Sequence, residues 1–436
     1  MSKKTITSRS GRFMKLAGMT ASVAGRYASE RVQSVFSSAE KITDRKKIAY
    51  EKMADDIVDT LGELKGAVMK IGQIASQTQD LLPKEFSEAL KKLQKEAPPV
   101  DFSVIQHQVE QALGGELSKL FTSFDETPFA AASIGQVHRA VTLDNQQVVV
   151  KVQYPGVDRS CDSDLKQLRM TLKLGGLLKM PKASVDALFA EIRDRLHEEL
   201  DYENEANNIE LFAAFHKEHP QIQVPKTFPR LSTRHVLTLE YLPGDHADEL
   251  HEKGYSQEQV NRLGLNLFEM LAQHLFIFQK IHGDPHPGNF AFRKDGTIVL
   301  YDFGCIKLLK PEIVKAYKNA IEASINEDYD AVDDALKRLG ARIDAKDSPG
   351  AEYYQVWRNI FFEPFLQGDE YDFKEARLHM DAAKNTALLF KYLSHFKPPV
   401  ESLYIDRMIS GHYWLMKTMG VKADFRPLLD QYLNRG

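Results

Sequence analysis

Two short segments in the second half of the chain combine carboxylate, amide and glycine residues at a spacing that suits chemistry on phosphates. One runs from His282 to Asn289 and reads His-Gly-Asp-Pro-His-Pro-Gly-Asn, and the other is Asp302-Phe303-Gly304, thirteen residues after Asn289. Phosphoryl transfer needs a carboxylate near the attacking oxygen, and it needs hard oxygen ligands that hold Mg²⁺ on the phosphates. An Asp-x₄-Asn loop followed by Asp-Phe-Gly supplies both.

The same loop also contains a His-x₃-His pair, His282 and His286, which is a spacing found in metal sites. The neighbouring prolines and glycine do not support the helix that such a pair would need. Asp-Phe-Gly alone also occurs by chance in many chains. Its position after the Asp-x₄-Asn loop favours a phosphoryl-transfer site over both alternatives.

A phosphate-covering loop and a lysine are needed upstream, and segment 129–137 together with Lys151 fits both requirements. The segment reads Phe-Ala-Ala-Ala-Ser-Ile-Gly-Gln-Val, in which Gly135 matches the glycine-rich pattern G-x-G-x-x-G-x-V. Ala130 and Ala132 stand where that pattern has glycine, and alanine does not easily adopt positive φ angles. The loop must therefore approach phosphates differently. Lys151 lies on the second of two predicted strands, where the alternative is an ordinary surface lysine.

A lysine in that position needs a carboxylate from a helix to hold it. The sequence predicts that one helix before Asn207 carries an acidic cluster, which consists of Glu198, Glu199, Asp201, Glu203 and Glu205. Pairs three or four residues apart share a helix face, so carboxylates of this cluster can lie together. The alternative is a solvated helix face, which is the usual role of such a charge run.

The remaining pattern predicts an α+β fold in which helices precede a small β-rich lobe and a larger helical lobe follows, with a cleft between the lobes. Strands are predicted over 136–140, 147–152 and 236–241, and a hairpin over 289–301 turns at Asp295-Gly296. The predicted domains are a basic segment (1–43), a helical extension (44–120), an N-lobe with inserted helices (121–244) and a helical C-lobe (245–436).

Composition excludes several classes of protein. With 436 residues, of which 43% are hydrophobic and 27% charged, the chain is too long for one core and too apolar to be disordered. A net charge of −4 argues against a protein built around nucleic acid. The two cysteines, Cys161 and Cys305, exclude a disulfide framework or a cysteine zinc site and indicate a reducing compartment. No apolar run is long enough to predict a membrane span.

The N-terminus is basic, with six positive charges before the first acid: Lys3, Lys4, Arg9, Arg12, Lys15 and Arg26. The apolar residues between them are Phe13, Leu16, Met19 and Val23. Three interpretations stay open: a flexible basic tail, an amphipathic segment on an anionic membrane surface, and an organelle transit peptide. We therefore expect a cytoplasmic protein, peripheral at a membrane under the second interpretation, or an organelle-matrix protein under the third.

These motifs together resemble the UbiB/ADCK family of atypical, protein-kinase-like proteins, and the resemblance covers roughly residues 50–420. Its most specific parts are Lys70-Ile-Gly-Gln73, the alanine-rich loop, the segment 150–157, Glu199-Leu-Asp201 and the two segments described first. The resemblance implies a bilobal kinase-like fold whose N-terminal helical extension covers the cleft. In that fold Lys70 and Gln73 would face the active site, and Lys70 would pair with Glu199.

The resemblance also implies roles for individual residues. Glu205 would pair with Lys151, and Asp284 would be the catalytic-loop carboxylate. Asn289 and Asp302 would hold Mg²⁺. The strand over 236–241 looks like the hinge whose backbone would bind the adenine of ATP. The residues implied in nucleotide binding are Ala130, Ala131, Ala132, Ser133, Gly135, Gln136, Lys151, Glu240 and Leu242.

By resemblance, the chain would bind ATP and Mg²⁺ and act as an atypical kinase or ATPase that supports ubiquinone biosynthesis or isoprenoid lipid handling. Its partners would be ATP, a lipid or quinone-precursor ligand and an anionic membrane surface, while the phosphoryl acceptor and the oligomeric state stay open. The sequence has no Ala-Pro-Glu segment at a workable distance after Asp302, which argues against an ordinary protein kinase.

Two alternatives come from other functional classes. The loop at 282–289 also resembles that of small-molecule phosphotransferases of the aminoglycoside and choline kinase type, but those enzymes lack the motif at 70–73. The second alternative is a non-catalytic nucleotide-binding regulator. The intact set of Lys151, Asp284 and both proposed Mg²⁺ ligands argues against it.

The motif at 70–73 leads to a first prediction. If its helix lies over the active site, replacing Lys70 by alanine changes the balance between nucleotide binding and chemistry, and autophosphorylation is expected to rise. The measurement compares autophosphorylation and ADP release by Lys70→Ala with those of the parent protein. If Lys70 points to water instead, the substitution costs within about 0.5 kcal/mol and both activities stay the same, which would end the gating hypothesis.

Overall fold

The structure is a computed structural model. It describes residues 14–15, 17–25, 52–53, 100–131, 134–174, 182–366, 368, 370–397 and 402–434. The helical extension with Lys70 and Gln73 lies outside the described residues, as do Ala132 and Ser133 of the alanine-rich loop. The chain divides into two compact units, Met1–Ala206 with Thr227–Tyr241 and Asn207–Lys226 with Leu242–Gly436.

The first unit contains an antiparallel sheet and several helices. In chain order its elements are α1 (Phe102–Leu113), α2 (Leu117–Leu120), β1 (Phe121–Phe124), β2 (Ala130–Ala131), β3 (Gly135–Thr142), β4 (Gln147–Gln153), α3 (Val157–Leu174), α4 (Lys182–Glu199) and α5 (Tyr202–Phe215). Helix α5 continues into the second unit, to which β5 (Ile222–Gln223) belongs. The chain then returns to the first unit with a 3-10 turn (Pro229–Leu231) and β6 (Val236–Glu240).

The sheet of the first unit places the predicted lysine strand in its centre. The strand order is β1-β3-β4-β6, and β2 pairs with β3 as well. The predicted strands are confirmed, and Asn145 in the predicted turn has a φ of 61°. Val137 pairs with Lys151, which in turn pairs with Leu237. Because paired residues of antiparallel strands point to the same face, these three side chains share one face of the sheet.

A buried polar network ties α1 to the sheet. The Gln136 side chain accepts a hydrogen bond from Val100 N at 2.5 Å, and its amide nitrogen lies 3.2 Å from His138 Nε2. The other ring nitrogen of His138 lies 2.8 Å from Asp125 O, so it carries the proton. Burial lowers the pKa of His138, which keeps the ring neutral in this network. The start of α1 is thereby fixed against β3, and the helix shares the core of the sheet.

The helical residues 17–25 also pack on the first unit. Met19 and Val23 are buried in its hydrophobic core, and Thr20 Oγ1 lies 2.6 Å from Thr171 Oγ1 of α3. Met19 and Val23 are therefore not exposed for contact with a membrane surface, as the second interpretation of the N-terminus would need. Their apolar surface is already removed from water inside the protein.

The second unit is mainly helical. Its helices are α6 (Gln257–Ala272), α7 (Pro311–Ile325), α8 (Tyr329–Arg338), α9 (Ala351–Phe361), α10 (Glu363–Leu366), α11 (Leu378–Lys384), α12 (Thr386–Tyr392), α13 (Leu403–Met419) and α14 (Arg426–Leu433). Its further strands are β7 (Lys280–His282), β8 (Phe290–Phe292), β9 (Ile298–Leu300), β10 (Ile306–Leu308), β11 (Tyr371–Asp372) and β12 (Lys422–Ala423). Single turns of 3-10 helix occur at Pro287–Asn289 and Leu393–His395.

Short strand pairs hold the functional loops of the second unit. β8 and β9 form the predicted hairpin, whose turn residue Gly296 has a φ of 95°. β5 adds to β9 in parallel, and β7 pairs with β10. Helix α6 starts with a capping box between Ser256 and Gln259 and continues as a π-helical turn over Gln273–Ile277. Among the described residues, no helix has the length and apolar character needed to cross a membrane.

The sequence predicted that the acidic cluster lies on one helix, but in the structure the cluster is divided between two helices. α4 ends at Glu199 and α5 begins at Tyr202, with Asp201 between them. The Asp201 carboxylate accepts a hydrogen bond from Asn204 N at 3.0 Å, which is the role of an N-cap residue. Aspartate competes with the helical backbone in this way, and it thereby interrupts a helix that periodicity alone would continue.

Of the four buried histidines described in the second unit, three have a strongly lowered pKa. His216 Nε2 lies 2.8 Å from His274 Nε2, and His412 Nδ1 donates to Met408 O at 2.7 Å. Burial lowers the pKa of His216 and of His412 to about 4 and that of His274 well below its ordinary value. All three are therefore neutral in the folded protein at pH 7.

These histidines predict acid sensitivity. Because the pKa of His412 is about 4 in the folded state against 6.5 ordinarily, the unfolded state takes up its proton first as the pH falls. The contribution of neutral His412 to the free energy of unfolding is fully present above about pH 6.5 and is lost as the pH falls towards 4. When the pH is lowered from about 7.5 to about 5, the free energy of unfolding decreases in both proteins. The decrease should be about 2 kcal/mol smaller in His412→Leu than in the parent.

Urea denaturation at both pH values measures this difference. His246→Leu, which removes an exposed histidine of the same unit, should keep the parent's acid sensitivity. Equal acid sensitivity of His412→Leu and the parent would contradict the assignment of His412 as a buried neutral group.

Candidate nucleotide and metal site

The first unit contains an ion pair between Lys151 of β4 and Glu205 of α5. The distance from Lys151 Nζ to Glu205 Oε1 is 2.5 Å, and the two side chains are only 14% and 3% exposed. The Lys151 ammonium also lies 5.5 Å from the centroid of the Tyr202 ring. The pair that the resemblance implied is therefore formed, and it is largely shielded from water. A cation held in this way presents a fixed positive charge on the sheet face shared with Val137.

The placement of Glu205 follows from the start of α5. Asp201 caps this helix, and Glu205 N donates to Asp201 O at 3.0 Å, so Glu205 lies one turn into the helix. Of the predicted acidic cluster, Glu205 is the member that meets the lysine. Glu199 is half-buried at the end of α4, and its predicted partner Lys70 lies outside the described residues.

The described part of the alanine-rich loop lies next to this pair in the fold of the unit. Ala130 and Ala131 form the exposed strand β2, which pairs with Val137 and Gln136 of β3. A Cβ atom at Gly135 would lie 2.2 Å from Val152 O, so glycine is required there by the close approach of β4.

Gln136 does not offer its side chain to a nucleotide. The side chain is fully buried and hydrogen-bonded to Val100 and His138. A nucleotide contact from Gln136 would therefore have to come from its backbone. Periodicity along a strand does not reveal this, because the partner, Val100, is distant in sequence.

The predicted hinge residues end the sheet of the first unit. Glu240 is the last residue of β6 and pairs with Val148. Tyr241 N then donates to Gln147 O at 3.1 Å. Leu242 is the first residue of this segment in the second unit, where its carbonyl accepts a hydrogen bond from Tyr301 Oη at 2.8 Å.

In the second unit, His282 connects the two chemistry-bearing loops. Its Nε2 donates to Asp302 O, and its Nδ1 accepts a hydrogen bond from Asp284 N at 3.2 Å. The ring is 4% exposed and contacts the ring of Phe303. Because both ring nitrogens are engaged, the alternative of a His282–His286 metal pair is not supported. His286 Nδ1 instead accepts a hydrogen bond from Gly288 N.

Asn289 is oriented by the loop that precedes it. Its amide nitrogen donates to Asp284 O at 2.9 Å, and its backbone N donates to His286 O. The amide oxygen is therefore the atom that remains for a cation. Tyr301 N donates to Asn289 O at 3.0 Å, which places the residue before Asp302 beside Asn289.

The Asp-Phe-Gly segment is anchored by its central residue. Phe303 is fully buried, with its ring centroid 5.4 Å from that of Phe212. Asn208 donates from its side chain to Phe303 O at 3.0 Å. The Asp302 carboxylate is half-buried, and one of its oxygens accepts a hydrogen bond from Gly304 N at 2.8 Å. An aspartate and an asparagine oxygen on neighbouring strand ends suit a hard cation such as Mg²⁺.

Sequence reasoning missed several residues that position these loops. A Cβ atom at Gly283 would lie 2.7 Å from Cys305 Sγ, and one at Gly411 of α13 would lie 2.3 Å from Pro285 Cβ. Asn208 and Phe212 were also missed. Their signal was the helical spacing from Glu205, since residues three and seven positions further along a helix lie near the same side. A glycine inside a predicted helix was the signal for Gly411.

Among the described residues, Cys161, Asp162 and His197 form one further group whose donor atoms could reach a common metal. Arg193 Nε already lies 2.8 Å from Asp162 Oδ1 in an exposed ion pair. Burial raises the pKa of the Cys161 thiol to about 12, and a protonated thiol is not a metal ligand. Among the described residues, neither Cys161 nor Cys305 forms a disulfide.

The family model described as "ABC1 atypical kinase-like domain" matches residues 92–336, which contain all the described site residues. The "Probable serine/threonine-protein kinase abkA" of Dictyostelium discoideum is 30% identical over 430 residues, covering 93% of this chain and 75% of that protein. The "Atypical kinase COQ8, mitochondrial" of Saccharomyces cerevisiae is 30% identical over 426 residues, covering 96% and 83%.

A solved structure also matches this chain. The structure of Rv3197 from Mycobacterium tuberculosis in complex with erythromycin matches with a TM-score of 0.62 and 27% sequence identity. The match covers 91% of this chain and 98% of that chain. The predicted α+β, kinase-like fold is thereby confirmed, and the chain belongs to the UbiB/ADCK family of ABC1 atypical kinase-like proteins.

Proposed function

We propose that this protein binds ATP with Mg²⁺ and transfers the terminal phosphoryl group, as an atypical kinase or an ATPase. The observation that carries the proposal is the link between the two loops by His282, which contacts Asp302 O and Asp284 N at once. It holds the carboxylate-bearing segments in a fixed relation before any ligand arrives. Such preorganisation is the main contribution a protein makes to phosphoryl transfer.

Each site residue then has a defined task. Lys151, held by Glu205, donates hydrogen bonds to phosphate oxygens. Asn289 and Asp302 would hold Mg²⁺, which neutralises charge on the phosphates when it is bound. Asp284 accepts the proton of the attacking hydroxyl or water. The backbone of β2 and of the hinge segment would contact the phosphates and the base.

The acceptor and the pathway rest on similarity alone. One relative carries the name of a mitochondrial atypical kinase, COQ8, and on that basis we propose a role in ubiquinone biosynthesis or isoprenoid lipid handling. A lipid or quinone-precursor ligand and an anionic membrane surface would be the partners, and an organelle would be the location. Nothing in the comparisons favours a small-molecule phosphotransferase or a non-catalytic regulator.

The proposed activity is tested by ADP release from the purified protein with Mg·ATP. The assay is run alone, with anionic liposomes, and with phenolic quinone-precursor analogues. Release that depends on Mg²⁺ and rises with the lipid or the phenol supports the proposal. Absence of ADP release, together with absence of Mg·ATP binding, would contradict it.

The metal ligand Asp302 gives a specific prediction. In Asp302→Asn a neutral amide replaces the charged oxygen, and amides bind Mg²⁺ more weakly than carboxylates. A ligand that binds the native state raises the melting temperature, so Asp302→Asn should lose the shift that Mg·ATP induces. Asp248→Asn, which changes an exposed carboxylate of the same unit, should keep it. An unchanged shift in Asp302→Asn would show that the loop was assigned wrongly.

A further inference from the structure

An exposed cluster of two aromatic rings and one guanidinium lies on the sheet of the first unit. Arg139 of β3 pairs with Val149 of β4, two residues along from the pair Val137–Lys151. Because side chains alternate along a strand, Arg139 points to the same face as Lys151. The cluster formed by Phe129, Arg139 and Tyr241 thus occupies the outer part of the face that carries the lysine.

The guanidinium of Arg139 lies over both rings, in the corner that they form. Its Cζ lies 4.3 Å from the centroid of Phe129 and 4.6 Å from that of Tyr241. Its Nη2 also donates to Tyr241 Oη at 2.9 Å. The two rings meet edge-on, with centroids 6.0 Å apart and an interplanar angle of 87°. A planar guanidinium can lie over aromatic rings and still donate a hydrogen bond in a fixed direction, which lysine does less well.

The two aromatic residues differ in how firmly their backbones are held. Tyr241 follows β6, which pairs with the central strand β4, and its N donates to Gln147 O. Phe129 N donates to Val137 O at 2.7 Å, but the strand that follows it, β2, has only two residues and both are exposed. β6 has five residues, of which four are buried. The Phe129 side chain is itself 51% exposed, so the hydrophobic core does not hold it. Arg139 therefore fastens the less anchored segment to the better anchored one.

We propose that Arg139 is a positioning residue, which holds the beginning of the alanine-rich loop at Phe129 against the hinge segment at Tyr241. This inference rests on the proposed function, because it concerns the nucleotide that the loop and the hinge would bind. With Phe129 and β2 already in place, the backbone of β2 meets the phosphates without first losing conformational freedom. Without Arg139, that loss of freedom is added to the cost of binding.

The proposal predicts different effects on the affinity for ATP and ADP, which carry phosphates, and on the affinity for adenosine, which carries none. Adenosine depends on the hinge, which the sheet holds without Arg139. ATP and ADP also depend on the loop. Loss of Arg139 should therefore weaken ATP and ADP and leave adenosine unchanged, which general damage to the unit would not do.

Isothermal titration of the full chain with ATP, ADP and adenosine tests this, using Arg139→Ala, Arg139→Lys and Phe129→Leu. Since two exposed cation–π contacts are lost, Arg139→Ala should raise the Kd for ATP and ADP by about 5- to 10-fold. Arg139→Lys should fall between that variant and the parent, because an ammonium keeps the positive charge but lacks the planar guanidinium that lies over the rings. Turnover at saturating ATP should stay unchanged, so the effect appears in KM.

Arg159→Ala is the matched control, since the Arg159 side chain is 82% exposed in the same unit and its Nε lies 4.0 Å from Oδ1 of its neighbour Asp158. It should bind all three ligands as the parent does. Phe129→Leu breaks the same contact from the loop side, and it answers the question if Arg139→Ala fails to fold.

Three outcomes overturn the proposal. The first is that Phe129→Leu and Arg139→Ala bind ATP as tightly as the parent. The second is that the variants lose as much affinity for adenosine as for ATP. The third is that turnover falls while KM stays unchanged. If the parent itself binds none of the three ligands, the proposed function fails and this inference fails with it. If the parent binds ATP and the variants bind it equally, only the role of Arg139 fails.

Discussion

The Lys151–Glu205 ion pair is almost fully shielded from water, and the first unit must hold both of its partners in place. A buried pair stabilises a fold only when both partners are held in place, because a single charge left behind costs several kcal/mol. Lys151 is held by strands on both sides of β4. Glu205 is held by the start of α5, where Asp201 ends the preceding helical run and begins a new one.

Helix α5 also belongs to the second unit, since the boundary between the units follows Ala206. Beyond that boundary, Asn208 and Phe212 contact Phe303. Within the second unit, α5 thus holds the Asp-Phe-Gly segment through these two residues.

Local patterns were enough to predict the strands, the hairpin around Gly296 and the loops that carry Asp284, Asn289 and Asp302. These features depend on residues close in sequence, whose spacing and turn preferences are visible in the chain itself. The same holds for the family, since its motifs are short and contiguous. The predicted roles of Lys70 and Gln73 stay predictions.

Features that depend on distant partners were not predictable. Gln136 was taken for a nucleotide contact, but its side chain is used by Val100. The three interpretations of the N-terminus did not include packing in the protein core, where Met19 and Val23 are buried. The cluster formed by Phe129, Arg139 and Tyr241 joins three separate segments, and no spacing within one segment signals it.

Gly411 has a consequence for protein engineering. Within a helix, glycine is less stable than alanine by roughly 0.5–1 kcal/mol, so replacing helical glycines is a common way to raise thermal stability. At Gly411 the added methyl group would meet Pro285 at 2.3 Å, in the loop that carries Asp284. Alanine at position 411 would therefore favour the helix, but it would also displace the loop and with it the Asp284 carboxylate.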